Sequence, residues 1–143
     1  MSKKKILIVG GDSRLGVSIS KFFRYKKLSY IKTSRRKNIQ KNQKFLDLNN
    51  TSKFLIPTKV NCALILAYQN NIEQCQKNFR ISYKINVTNT VNIIKKLLKN
   101  KIFVLFISSN LVFNNKSKTR FEESKKKPST NYGLMKSLCE TKI

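Results

Sequence analysis

Apolar and polar positions fall into blocks along this chain, and the period of each block predicts an element. Residues 5–9, KILIV, are a short Ile/Val-rich run, the pattern of a strand covered on both faces. Leu15, Ile19, Phe22 and Phe23 then recur at helical spacing and predict a single apolar stripe. Residues 28–33 predict a second strand, and residues 34–44 are polar and basic, as in a surface loop. Residues 45–48 predict a short strand, and residues 51–56 a short helix stopped by Pro57. CALILA, residues 62–67, reads as the next buried strand. Val87, Val91, Ile94 and Leu98 mark a longer helix that ends at Asn100, and KIFVLFI, residues 101–107, is another buried strand. A polar loop with Asn114, Asn115, Lys116 and Ser117 follows, and Pro128, Ser129 and Thr130 lead into a last helix from about residue 131.

This order of strands and helices predicts an α/β fold on a parallel sheet. Right-handed crossovers then place helices on both faces, a doubly wound arrangement. A chain of 143 residues supplies one domain with one core. No segment approaches the ~20 apolar residues of a membrane helix, and the apolar run 6–9 is too short for a signal-peptide core. Cys62, Cys75 and Cys139 show no CxxC spacing, and the chain has no His, which argues against a zinc site and for reduced thiols. The expectation is a cytoplasmic protein with neither metal nor membrane partner.

Charge adds a second possibility. Lys and Arg number 31 against 6 Asp and Glu, a net +25, and such a field favours nucleic acid, acidic membranes or phosphorylated ligands. The lysines are spread along the chain among Asn and Ile, the aromatics sit in apolar runs, and no RNA- or DNA-binding pattern occurs. A basic nucleic-acid-binding protein is therefore an alternative of another class, argued against by the pattern.

The chemistry concentrates in two places. The first is IVGGDSRLG, where a strand runs into glycines and a helix opens. Amides at a helix amino terminus carry partial positive charge and suit a phosphate. Gly10 would allow the sharp turn and Gly16 close packing of helix on strand, while Ser13 stands where a dinucleotide fingerprint has its middle glycine. The Ser13 hydroxyl would either donate to a phosphate or crowd it, and the stretch also fits a plain strand-to-helix turn. The second strand ends in Ser34, Arg35 and Arg36, where an acid would favour NAD; arginines suit a 2′-phosphate, and Arg14 would approach the same group. NADP is favoured and NAD stays open.

The second place is FISSNLVF followed by NYGLMK. Tyr132 and Lys136 are four apart and share a helix face, and Ser108 and Ser109 directly follow a buried strand. A half-buried packing tyrosine and a solvated lysine would give the same spacing.

At these residues the sequence resembles the extended short-chain dehydrogenase/reductases acting on nucleotide sugars, in particular dTDP-4-dehydrorhamnose reductases and related sugar-nucleotide epimerases. IVGGDSRLG, FLDLNN, NCALILA, INVTNTVNII, FISSNLVF and PSTNYGLMKSLCE carry the resemblance, in the family's order and over nearly all of the chain. It implies a Rossmann-type fold and hydride transfer with NADP or NAD. Tyr132 would protonate a ketone oxygen, Lys136 would hold the nicotinamide ribose and lower the tyrosine pKa, and Ser109 would hydrogen-bond the substrate carbonyl. Gly10, Ser13, Arg14, Leu15, Gly16 and Arg35 would bind the cofactor. Asp47 and Leu48 would contact adenine, Ala67 would line the cofactor channel, and Asn86 would lie near the active centre. Members of this branch continue for as much chain again, so the sheet is expected to stop before its last strands and the domain 1–143 to lack the substrate half. A nucleotide sugar would need that half. An unpaired sheet edge would invite self-association, and a non-catalytic relative that binds cofactor or a partner is the alternative.

Overall fold

A computed structural model describes residues 4–36, 41–114 and 119–143. The predicted loop residues Asn115, Lys116 and Ser117, and residues 37–40 of the basic loop, lie outside these. The elements, in chain order, are β1 (Lys5–Val9), α1 (Arg14–Tyr25), β2 (Tyr30–Ser34), β3 (Gln43–Phe45), β4 (Val60–Ile65), α2 (Ile72–Lys77) and α3 (Phe79–Tyr83). A π-helical stretch (Lys84–Asn89) then runs into α4 (Thr90–Lys99), followed by β5 (Phe103–Phe106), a 3-10 turn (Asn110–Val112) and α5 (Asn131–Lys142). The chain divides into two compact units, Met1–Ala67 with Ile93–Ile107, and Tyr68–Asn92 with Ser108–Ile143.

The first unit holds the whole sheet, in the order β3-β2-β1-β4-β5, with every pairing parallel. This is the Rossmann-like α/β architecture. Side chains alternate across the pleat. Leu7 and Val9 enter the core with Ala63 and Ile65 of β4 and with Ile93, Ile94 and Leu97 of α4. Ile6 and Ile8 point to the other face, in register with Tyr30 and Lys32. There Phe23 of α1 meets Tyr30, ring centroids 5.9 Å apart. Helices α1 and α4 thus cover opposite faces, as right-handed crossovers require. The α1 face is bare at the end of the sheet: Phe103, Leu105 and Ile107 are 67%, 46% and 37% exposed. Leu105 pairs with Leu64 and so continues the Ile8 row.

Three sequence expectations change. Leu15 and Phe22 are exposed, and α1 instead approaches through Gly16 and Ser20, both buried. A Cβ on Gly16 would lie 2.4 Å from the Gly10 carbonyl oxygen, so small residues set this approach. Residues 51–56 form one turn at 52–53 followed by irregular chain, not a helix: the Asn50 side chain accepts from the Ser52 amide (3.3 Å) and hydroxyl (2.7 Å), local bonds that compete with helical ones. Phe54 is nevertheless buried there in the core. The strand expected at 45–48 lies at Gln43–Phe45, because Asp47 Oδ1 accepts from the Asn49 amide (2.8 Å) and turns the chain.

The second unit is helical. Asn71 caps α2 by accepting from the Gln74 amide at 2.8 Å. The helix expected around Val87 starts as the π stretch, where the Thr90 hydroxyl donates to the Ile85 carbonyl at 2.9 Å. Thr130 caps α5, accepting from the Gly133 amide at 3.1 Å.

Candidate functional site

In the first unit the glycine turn hangs on the end of β2. The Gly10 amide donates to Thr33 Oγ1 (3.0 Å) and the Gly11 amide to the Thr33 carbonyl (2.9 Å). Gly10 has φ of +93°, and a Cβ there would lie 2.5 Å from the Ala67 nitrogen, so only glycine fits beside Ala67. Ser13 is the N-cap of α1: its hydroxyl accepts from the Gly16 amide (3.0 Å) and donates to the Gly10 carbonyl (2.8 Å). The hydroxyl is thus spent within its own turn. Arg14 and Leu15, both exposed, hold the first helical positions, whose amides have no acceptor within a helix. Amides so placed are donors that could hold a phosphate.

At the end of β2, Arg35 and Arg36 are exposed. Asp12, which the sequence reading passed over, accepts a short hydrogen bond from the Ser34 hydroxyl and lies 3.9 Å from Arg36 Nε. An acid therefore does stand at this strand end, brought there from the β1 turn. Asp47 and Leu48 are half-buried, with Asp47 Oδ1 bonded within its own turn.

The second unit gathers Tyr132, Lys136, Ser109 and Asn86. One turn of α5 separates Tyr132 from Lys136, and the Lys136 side chain is inside, the residue only 4% exposed. Burial brings its ammonium down to about 8, while Cys139 and Glu140 pull it upward. Burial pushes the Tyr132 phenol up, as does Cys75, and the Ser109 side chain pulls it down. The phenol thus starts above its ordinary range rather than below it. Ser109 also caps the 3-10 turn, accepting from the Leu111 amide at 3.2 Å. Ser108 is exposed and bonds Glu140.

Asn86 is fully buried in the π stretch. Its Oδ1 accepts from the Gln69 amide (2.7 Å) and its Nδ2 donates to the Gln69 carbonyl (3.0 Å), while its own carbonyl accepts from the Cys139 thiol (3.0 Å). It therefore clamps the segment that begins with Tyr68. That tyrosine was missed from sequence, and its only signal was an aromatic side chain directly after a buried strand. Among the described residues no group of His, Cys, Asp and Glu could hold a metal ion, and no helix is long and apolar enough to cross a membrane.

This sheet, with a glycine turn after its first strand and a Tyr-x-x-x-Lys helix, is the framework of the extended short-chain dehydrogenase/reductases. Residues 4–143 match the family described as the RmlD substrate binding domain, and the chain belongs to that family. Among solved structures it is similar to a dTDP-4-dehydrorhamnose reductase from Clostridium acetobutylicum (26% identity, TM-score 0.82), covering 97% of this chain and 48% of that one. A hypothetical dTDP-4-dehydrorhamnose reductase from Sulfolobus tokodaii is 24% identical with a TM-score of 0.85, over 96% of this chain and 51% of that one. RMD from Pseudomonas aeruginosa, solved with NADPH, is 18% identical with a TM-score of 0.77, over 97% and 48%. The chain thus spans about half the length of these structures. No curated protein matches its sequence.

Proposed function

We propose that this chain is the cofactor-binding and acid–base part of a NAD(P)-dependent reductase or epimerase acting on a nucleotide-linked sugar. The observation that carries this reading is the Ser109–Tyr132–Lys136 set: a buried lysine one helical turn from a phenol whose pKa the Ser109 side chain draws down. The names of the similar reductases supply the substrate class, and the NADPH of one neighbour the cofactor class.

A bound nicotinamide cofactor supplies the hydride. Tyr132 gives its proton to the carbonyl oxygen as negative charge develops there, and Ser109 donates a hydrogen bond to the same oxygen. The Lys136 ammonium favours the phenolate that results, opposing the burial that now raises the phenol. The amides of Arg14 and Leu15 bind the diphosphate, with Gly10, Ser13 and Gly16 shaping the turn and Ala67 packed on it. Asp47 and Leu48 contact the adenine, and Asn86 acts through Gln69. Arg35 and Arg36 take a 2′-phosphate, so NADP is preferred; Asp12 beside Arg36 opposes that preference and keeps NAD usable.

Titration of the chain with NADPH and NADH, followed by nicotinamide fluorescence, tests the reading. Saturable binding is expected, tighter for NADPH, and lost in Gly10→Val. No saturable binding of either cofactor to the wild-type chain sinks it. In a turnover assay with a nucleotide-sugar substrate, Tyr132→Phe is expected to keep cofactor binding and lose activity.

A further inference from the structure

We infer that Tyr68 is a positioning residue for the Tyr132–Lys136 pair, its ring face receiving the lysine ammonium and its ring packing against the phenol; this rests on the function proposed above. Lys136 Nζ lies 3.7 Å from the centroid of the Tyr68 ring, well inside the ~6 Å reach of a cation–π contact. The Tyr68 and Tyr132 rings meet edge-on, centroids 5.5 Å apart at 82°, the geometry that aromatic quadrupoles favour. One aromatic side chain thus touches both groups on which the acid–base step depends.

The placement of that ring is fixed from two sides. Asn86 holds the amide and the carbonyl of the very next residue, Gln69. Cys75 of α2 donates its thiol hydrogen bond to the same Gln69 carbonyl, at 3.3 Å. The Tyr68 hydroxyl is buried, and among the described residues no group lies within hydrogen-bonding geometry of it. The site therefore uses the ring of Tyr68 and not its hydroxyl.

The physical need is clear. A buried ammonium loses its hydration, and the electron-rich ring face returns part of that stabilisation without hydrogen-bonding a donor hydrogen away from a ligand. The ammonium is thereby held beside the phenol as a charged group. Other titratable groups face this centre. Tyr132, Cys139 and Glu140 lie on α5, with Glu140 paired to Lys126, and Cys75 lies on α2. These groups stay in place in every variant of position 68, and Tyr68→Phe separates loss of the hydroxyl beside Cys139 from a change in the ring.

The experiment follows the Lys136 side-chain methylene signals by NMR across a pH titration of the 143-residue chain, assigned by their loss in Lys136→Met. The wild type and Tyr68→Phe are compared with chains carrying phenylalanines of increasing ring fluorination at position 68, which weaken the quadrupole at nearly constant volume. Ring-current upfield shifts are expected in the wild type and in Tyr68→Phe, with similar titration midpoints. The midpoint is expected to fall stepwise with fluorine number, by about one pH unit over the series. A flat series, or Lys136 signals at ordinary positions in the wild type, overturns the inference. Tyr68→Leu removes the upfield shift and serves as the control if a fluorinated chain does not fold. Titrating the same samples with NADPH separates the two readings. A flat series with intact cofactor binding sinks this inference alone. A stepwise series without cofactor binding sinks the function and leaves the Lys136–Tyr68 contact standing.

Discussion

Ser13 shows how one side chain decides what a turn offers. Its hydroxyl caps α1 by taking the Gly16 amide, one of the donors that a helix start holds out to an anion. Ser13→Gly releases that amide and removes a Cβ from the phosphate's path, while glycine is itself a tolerable cap. NADPH affinity is expected to rise roughly 3- to 10-fold, the worth of one charged hydrogen bond less the cost of the cap, with little change in Tm. Unchanged or weaker binding in a fluorescence titration contradicts this. Lys136 gives a second prediction at the same scale. Its ammonium is lowered from 10.5 to about 8 in the folded chain, so between those values the unfolded state binds more protons. The group therefore opposes folding fully below about 8, and the opposition fades as pH rises toward 10.5. Lys136→Met is expected to be more stable than the wild type at pH 7, by about 2–3 kcal/mol, with the margin closing on the alkaline side. Urea unfolding of both chains at several pH values checks it; a pH-independent margin refutes it.

At the scale of elements, the sequence was legible wherever one short-range period governed. The sheet strands β1, β4 and β5 announce themselves as apolar runs, and the spacing of Tyr132 and Lys136 put both on one face of α5. Gly10 after β1 was legible because a turn that combines positive φ with a close backbone neighbour leaves no room for a Cβ. What escaped was set by partners distant in the chain or by side chains bonding their own backbone. Tyr68 and Asp12 gain their meaning from Lys136 and Ser34, contacts that leave no local pattern. The 51–56 helix failed for the second reason, Asn50 bonding Ser52. The π stretch belongs here too: its i→i+5 hydrogen bonding is not written in hydrophobic periodicity, yet it carries Asn86 to Gln69. Asn86→Ala would leave the Gln69 amide without its side-chain partner and the Gln69 carbonyl with the Cys75 thiol alone, in a half-buried place. A loss of about 2–4 kcal/mol in unfolding free energy is expected, with faster amide exchange at Gln69. Retention of slow exchange there would show that the clamp is not what holds this segment.

For the molecule as a whole, charge and surface oppose each other. The +25 net charge repels a second copy of the chain, and the nucleic-acid reading finds no pattern of its own beyond it. The sheet's open side, with Phe103, Leu105 and Ile107 on β5, attracts any apolar surface. Charge repulsion reaches ~30 Å at 0.01 M ionic strength and only ~3 Å at 1 M, whereas burial of apolar area strengthens with excluded salts. Sedimentation velocity is therefore expected to find monomers in dilute buffer and larger species in concentrated sodium sulfate. Phe103→Lys with Leu105→Lys is expected to keep the chain monomeric in both. Larger species that persist in the double variant would place the contact elsewhere.

The same exposed row on β5 is a strip that a hydrophobic dye can read from outside. Dye bound there brightens as water is displaced from the greasy side chains. The brightness would then report how well that row is covered.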